Sequence, residues 1–390
     1  MSDIPIAIIG GGVIGCAVAW ELSSRYENVF LFEKNPGITQ GENQSSRNSG
    51  VIHSGLYYDQ ETRPKKARLC IKGNQLLYDF CNKHNVPAKR TGKLIVAIDS
   101  AQDEILDIYL KRALLNNVPG VKKIPAPQVS KLEPNVRAVS ALLVPSAGIV
   151  EPTGLVYRLY TLASNNGVEF MTGTEIIGLQ KNGDEILLDI LYPDDQTEQV
   201  SSSLVINASG VDADLTARMI NPESLYELDP VRGDAYKFYM DKRPSLGLSG
   251  MNVYPTPELV VTQDGSHFTV GVHLTPTFED PSEASFPGST VTVGPKLVPI
   301  KHRHDMAETP HIPSDLFAEK ARTFFPGLKS NDLIWHQSGI QARLKDHPDF
   351  EITRDPLNPG VINLLGIDSP GLTSCLSVAQ FVGEMVKEFF

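Results

Sequence analysis

His53 follows two apolar residues and precedes Ser54-Gly55, at the end of the run Gln44-Ser45-Ser46-Arg47-Asn48-Ser49-Gly50-Val51-Ile52. An imidazole titrates near neutrality, so at the edge of a buried site it suits proton transfer. The residues before it are dense in hydroxyl and amide groups. Ser45, Ser46, Asn48 and Ser49 can cap a helix or donate to phosphate and ring oxygens, and a backbone of this composition suits wrapping a polar, planar ligand. A solvated loop is the plainer alternative. Far along the chain, Arg343 carries the planar fork that binds a carboxylate through two parallel hydrogen bonds, with an ordinary surface ion pair as its alternative.

A second chemistry is written in Ile4 to Glu33. The apolar run Ile6-Ala7-Ile8-Ile9 enters Gly10-Gly11-Gly12-Val13-Ile14-Gly15, continues at helical spacing through Ala17, Ala19 and Leu22, and reaches a second apolar run, Val29 to Phe32. That pattern predicts strand, turn, helix, strand. Gly10 permits the tight turn, Gly12 keeps side chains away from a pyrophosphate, and Gly15 brings helix and strand close. The N–H groups of Val13, Ile14 and their neighbours at the helix start are free for phosphate. Glu33, at the end of the second strand, is placed to accept both ribose hydroxyls of an adenosine half.

Composition narrows the class. The chain has 390 residues, 41% hydrophobic and 21% charged, as expected of a globular protein of two domains or one domain with a large insertion. A net charge of -11 without a basic run argues against nucleic acid. Cys16, Cys70, Cys81 and Cys375 lack the spacing of a zinc site and read as small buried residues in a reducing compartment. With no basic leader and no membrane-spanning apolar stretch, a cytoplasmic location is expected. The terminal segment Phe381 to Phe390 has the composition for peripheral membrane contact, although a buried helix is the preferred reading. His302, His304 and His311 lack carboxylate and cysteine partners at ligand spacing, so no metal is expected.

The glycine motif, the run Ser45 to Tyr58, Ala67-Arg68-Leu69-Cys70 and Gly92-Lys93-Leu94 closely resemble the FAD-dependent L-2-hydroxyglutarate dehydrogenase/oxidase group of the D-amino-acid-oxidase-like superfamily. The resemblance extends to the C-terminus. It implies FAD as the dinucleotide, with the serine-rich loop under the flavin and a small-molecule carboxylate as substrate. It also implies an adenine contact through the main chain near Ile176 and a second nucleotide contact at Ala208-Ser209-Gly210. Val231 to Tyr236, Tyr254-Pro255 and Gly271 to Pro276 match its substrate face, which makes His273 a second candidate base. Ser369-Pro370-Gly371-Leu372-Thr373 opens the terminal helix, and a helix N-terminus aimed at the flavin pyrimidine stabilises negative charge there. Lys34, Arg47, Gly50, Gly339 and Arg343 complete the expected cofactor contacts.

The elements that must position these residues follow from periodicity. Helices are expected over Ala67 to His84, Ala101 to Asn117, Leu155 to Asn166 and Ser374 to Phe389, and a short strand pair around Thr91-Gly92-Lys93. Glu185 to Tyr192 and an Asp194-Asp195 turn predict a hairpin, followed by a buried strand at Leu204-Val205-Ile206. The expected fold is α/β: a Rossmann-like, discontinuous FAD-binding domain (residues 1–86, 146–228 and 335–390) and a mostly antiparallel substrate domain (87–145 and 229–334). Gly294 to Pro310 matches no motif and is a candidate lining of the substrate pocket.

The reaction so implied is oxidation of the C2 alcohol of a 2-hydroxy acid by hydride transfer to flavin N5. His53 is the favoured base over His273, and Arg343 is expected to fix the C1 carboxylate. Tyr57, Arg68, Tyr254 and Lys93 are unranked candidates for orientation or for a distal carboxylate. L-2-Hydroxyglutarate leads as substrate. Glycerol 3-phosphate is the alternative, then amino acids or amines, with a non-catalytic flavoprotein last. The electron acceptor (oxygen, a quinone or an electron-transfer protein) is not specified by the sequence.

Overall fold

The computed structural model of the chain describes residues 2–262, 265–278, 286–304 and 309–390. The strand Ile4–Ile9 is buried on both faces, as its unbroken apolar run requires, and lies parallel to Val29–Glu33 on one side and to Thr197–Asn207 on the other. Glu169–Thr172 and Val361–Leu365 extend the parallel sheet outward in the two directions. Antiparallel strands Glu175–Asn182, Glu185–Leu191 and Glu351–Arg354 finish it at eight strands. Helices Val13–Ser23, Pro64–His84, Pro152–Asn165 and Gly371–Lys387 share one apolar core with this sheet, including Leu22, Leu31, Leu77, Leu159 and Val378. At Gly73 a β-carbon would fall 2.4 Å from the Thr373 carbonyl oxygen, so the Pro64–His84 helix rests directly on the start of the terminal helix.

A second eight-stranded sheet carries the other half of the protein. Its neighbours are all antiparallel except Asn252–Pro255, which runs parallel to Lys93–Ala97. The two sheets meet around a small third one, in which Val51–Ile52 and Ala88–Lys89 both pair with Gly148–Val150. His53 leaves this junction, which is how the serine-rich loop reaches the seam between the halves.

Three expectations are corrected. Leu333–Gln341, which falls mostly beyond the expected boundary at residue 335, is a strand of the second sheet, paired with Val231–Tyr239. The strands flanking Gly92 do not pair with each other: Ala88–Lys89 joins the junction and Lys93–Ala97 the large sheet, with Gly92 at φ +73 turning the chain between them. The return arm of the predicted hairpin and the buried parallel strand are one continuous element, Thr197–Asn207, polar where it projects and apolar where it enters the core. Residues 263–264 and 279–285 of the predicted antiparallel stretch, and 305–308 of the histidine-containing segment, lie outside the described residues.

Candidate active site

The nucleotide end is built by the first turn. Gly10 sits at φ +105, and a β-carbon there would lie 2.5 Å from the Ala208 carbonyl oxygen, so the glycine turn and Asn207-Ala208-Ser209 stand back to back. At Gly15 a β-carbon would be 1.8 Å from the Gly10 carbonyl oxygen, which excludes any side chain. Gly12 differs: only Ser45 Oγ comes near, at 3.1 Å, so its missing side chain leaves a cradle open. The amide of Val13 donates to Ser45 Oγ at 2.9 Å and ties the serine-rich loop to the helix start. Glu33, buried, accepts from the Gly11 amide (2.6 Å) and from the amide and side chain of Asn35 (2.7 Å each). A carboxylate offers roughly four lone-pair sites, so about one is left for a ribose hydroxyl rather than two. These features fit a dinucleotide: a turn closed to side chains at Gly10 and Gly15 and open at Gly12, a helix start directly behind it, and an acid at the strand end.

Around this end, Ile176 is buried beside the turn in which the Thr174 amide donates to the Glu33 carbonyl. Ser209 Oγ is held by Asn207, and Gly210 lies at φ +62 with open space around it. Lys34, an expected cofactor contact, is committed to Asp212 at 2.9 Å. His304 reaches the same Asp212 and also Glu42, each at 2.9 Å, and its pKa is raised, first by the hydrogen bond to Asp212. Arg303 pairs with the buried Asp214. The segment expected to line the substrate pocket thus ties to the cofactor half at Arg303 and His304. Among the described residues no group of three His, Cys, Asp or Glu side chains is arranged to hold a metal ion.

The serine-rich loop is braced by its own side chains. Asn43 accepts from the Ser46 amide and Asn48 accepts from the Gly50 amide, while Arg47 donates to the Gly41 carbonyl. Gly339 presses on it from the second sheet, where a β-carbon would lie 2.6 Å from the Arg47 carbonyl oxygen. Opposite, Gly371, Leu372 and Thr373 form the first turn of the terminal helix, where the leading amides have no intrahelical acceptor.

His53 lies between these parts. Its amide donates to Thr373 Oγ1 at 2.9 Å and its carbonyl accepts from Asn74 at 2.8 Å, so helices from both ends of the chain fix its backbone. Nδ1 has no partner among the described residues, and Nε2 has only a 3.4 Å contact with the Ser369 hydroxyl. His53 and Tyr57 keep part of their surface accessible while protein encloses them on most sides, as side chains lining a cavity do. Burial, then the charge of Lys93, then His273 hold the His53 pKa well below its ordinary value. The ring is neutral at neutral pH.

His273 stacks on Tyr254 with ring centres 3.9 Å apart and turns Nδ1 toward the Gly271 carbonyl at 3.1 Å. Burial pushes its pKa down to about 3. Lys93, 2% exposed, places Nζ 3.7 Å from the centre of the Tyr254 ring and 5.6 Å from that of Tyr57. It has no carboxylate partner among the described residues, and burial pushes it down to about 7. Desolvating an ammonium costs several kcal/mol and a cation–π contact returns about 2, so the aromatic walls alone do not compensate this lysine. The Tyr57 hydroxyl is also buried, with no hydrogen-bond partner among the described residues, and burial raises its pKa far above the ordinary value.

The structure therefore brings together His53, Tyr57, Lys93, Tyr254 and His273. It does not bring Arg68, which is exposed on the outer side of its helix with the guanidinium 5.4 Å from the Phe381 ring centre. Arg343 lies two residues past the strand end, half-buried and without an ion-pair partner among the described residues. Its main chain accepts a hydrogen bond from the Asp229 amide at 2.8 Å. Lys66, buried and paired with Asp368 at 2.6 Å just before the terminal helix, carried no signal in the sequence. Lys93 did carry one: a charged residue opening the otherwise apolar buried strand Lys93-Leu94-Ile95-Val96-Ala97.

A dinucleotide cradle that runs on to an imidazole-lined cavity between two sheets is the architecture of an oxidoreductase with a tightly held cofactor. The chain belongs to the FAD dependent oxidoreductase (DAO) family, which matches residues 5–385. It is 30% identical to the mitochondrial L-2-hydroxyglutarate dehydrogenase of Arabidopsis thaliana, over 97% of this chain and 82% of that protein. It is 29% identical to the L-2-hydroxyglutarate dehydrogenase of Indibacter alkaliphilus, over the full length of both. Among solved structures it resembles the L-alpha-glycerophosphate oxidase of Mycoplasma pneumoniae with FAD bound, at a TM-score of 0.84 and 24% identity, covering 98% of this chain and 94% of that one. FAD is accordingly the cofactor, and the open cradle at Gly12 and the buried acid Glu33 have the chemistry to fit its dinucleotide.

Proposed function

We propose that this flavoenzyme oxidises the C2 hydroxyl of a small 2-hydroxy acid, with L-2-hydroxyglutarate as the substrate and 2-oxoglutarate as the product. The observation that carries the reading is a neutral imidazole, His53, with a nitrogen that has no partner among the described residues, within electrostatic reach of a buried lysine, Lys93, that has no carboxylate partner among them. The two L-2-hydroxyglutarate dehydrogenase relatives support the same choice.

Bound FAD supplies the two-electron acceptor for the hydrogen at C2. His53 takes the hydroxyl proton: it is uncharged, its backbone is pinned by Thr373 and Asn74, and its ring is not committed to a strong acceptor. His273 is the poorer base, because its pKa lies near 3 and its Nδ1 is spent on Gly271; it serves as a wall beside Tyr254. Arg343, half-buried two residues beyond the strand Leu333–Gln341, is a further candidate for a substrate carboxylate. Protonated Lys93 favours an anion and disfavours the ammonium group of an amino acid or amine, which sets the hydroxy-acid reading ahead of an amine oxidase. Glycerol 3-phosphate, also an anion, is the competing substrate.

No helix of the described residues is long and apolar enough to cross a membrane. The reading adds a cytoplasmic site of action, with any membrane contact peripheral and through the terminal helix. Electrons leave to oxygen, a quinone or an electron-transfer protein. Dye-coupled turnover tested with L-2-hydroxyglutarate, glycerol 3-phosphate and D-alanine decides the substrate. A kcat/KM highest for L-2-hydroxyglutarate supports the proposal, and preference for either other compound replaces it.

A further inference from the structure

We infer that Lys93 is the anchor for a carboxylate of the substrate, and that the protein takes up a proton as that carboxylate binds. The inference rests on the substrate class proposed above and deepens it. Lys93 is 2% exposed at the end of the strand Lys93–Ala97, and its Nζ stands against the Tyr254 ring and toward Tyr57. A buried lysine normally finds its counter-ion within the protein itself; Lys66, buried to a similar degree, has Asp368 at 2.6 Å. Lys93 has none among the described residues. The missing counter-ion is thus an anion that enters the cavity, and the orphaned Tyr57 hydroxyl beside it supplies a second donor.

The groups facing Lys93 from the surrounding elements do not substitute for that anion. His53 from the junction loop and His273 ahead of the strand Leu274–Pro276 are neutral, with pKa values lowered in part by Lys93 itself. Tyr57 and Tyr254 hold their protons, since burial raises both. Cys70, from the Pro64–His84 helix, is likewise pushed up to about 12 by burial. The lysine is therefore half-deprotonated near pH 7 in the free enzyme. An entering carboxylate stabilises the ammonium, raises its pKa and draws a proton from solvent. The arrangement also sets specificity: an anion gains a partner here, whereas a cation meets like charge.

The test uses FAD-loaded enzyme and glutarate, a dicarboxylate without an oxidisable hydroxyl, followed by titration calorimetry in buffers of different ionisation enthalpy. Wild-type enzyme is expected to take up close to one proton per site at pH 8 and almost none at pH 6. Lys93→Met should retain its FAD and thermal midpoint, bind glutarate on the order of 100-fold more weakly and lose the proton uptake. Unchanged glutarate affinity in Lys93→Met, or no proton uptake by wild type at pH 8, overturns the inference. The wild-type arm needs no variant, so a folding failure in Lys93→Met leaves the question decided. If glycerol 3-phosphate rather than L-2-hydroxyglutarate reduces the wild type, the substrate reading fails on its own. The same calorimetry with inorganic phosphate then tests Lys93 separately: proton uptake at pH 8 supports an anion anchor there, and its absence overturns it.

Discussion

Replacing His53 by glutamine removes the proposed base while leaving its surroundings in place. The amide bond to Thr373 and the carbonyl bond from Asn74 belong to the backbone and survive the change. The side chain gives up only the 3.4 Å contact with Ser369, at the outer edge of hydrogen bonding, so the cost to folding is about 1 kcal/mol or less. The cost to chemistry is larger. A positioned general base contributes roughly 10²- to 10⁴-fold, equivalent to about 2.7–5.4 kcal/mol of barrier. The sign of the pH dependence follows from the shift. The neutral ring is the active form and its pKa is depressed, by burial first and then by Lys93 and His273, so reduction slows only as pH falls below the ordinary histidine value of 6.5. Anaerobic stopped-flow reduction of the bound flavin, followed from neutral pH down to the acid limit at which the enzyme keeps its FAD, reads both effects. His53→Gln should be slower by at least 100-fold and should lose the acid limb. A loss under tenfold with the acid limb intact refutes the assignment of His53 as base.

Three further outcomes are expected. Glu33→Gln surrenders charge-assisted hydrogen bonds to the Gly11 and Asn35 amides, and FAD affinity measured by fluorescence titration should fall about 10- to 100-fold. Arg232→Met strips the counter-ion from Asp234 in a pair whose side chains are both fully buried, and chemical denaturation should register a loss of about 3–5 kcal/mol. Arg68→Ala, by contrast, removes only an exposed contact with Phe381, so kcat/KM should stay within about twofold and stability within about 1 kcal/mol; a tenfold drop in kcat/KM would return Arg68 to the substrate site.

Much of the cofactor half is legible in the sequence because its requirements are local. The Gly10–Gly15 spacing, the apolar strands on either side and Glu33 sit within one βαβ unit, so sequence distance and spatial distance coincide there. The start of the terminal helix is readable for a similar reason, with Pro370-Gly371 ahead of an apolar helical run. The cavity is less so. Lys93, Tyr254 and His273 come from three strands or their edges, whose adjacency depends on a parallel pairing between Lys93–Ala97 and Asn252–Pro255, and no turn residue announces that register. Leu333–Gln341 falls in the wrong half on sequence alone because a strand's partner is not encoded in its own alternation. Arg68 is a candidate orienting group in the sequence but stands apart from the His53 cluster in the structure, because a helix exposes one residue and buries its neighbours: Lys66 and Ala67 face inward where Arg68 faces solvent.

Anaerobic titration of the FAD-loaded enzyme with the two enantiomers of 2-hydroxyglutarate tests the central claim most directly. One equivalent of the L form should bleach the flavin absorbance and yield one equivalent of 2-oxoglutarate, with the D form inert. A flavin that stays oxidised in excess L-2-hydroxyglutarate would contradict the account.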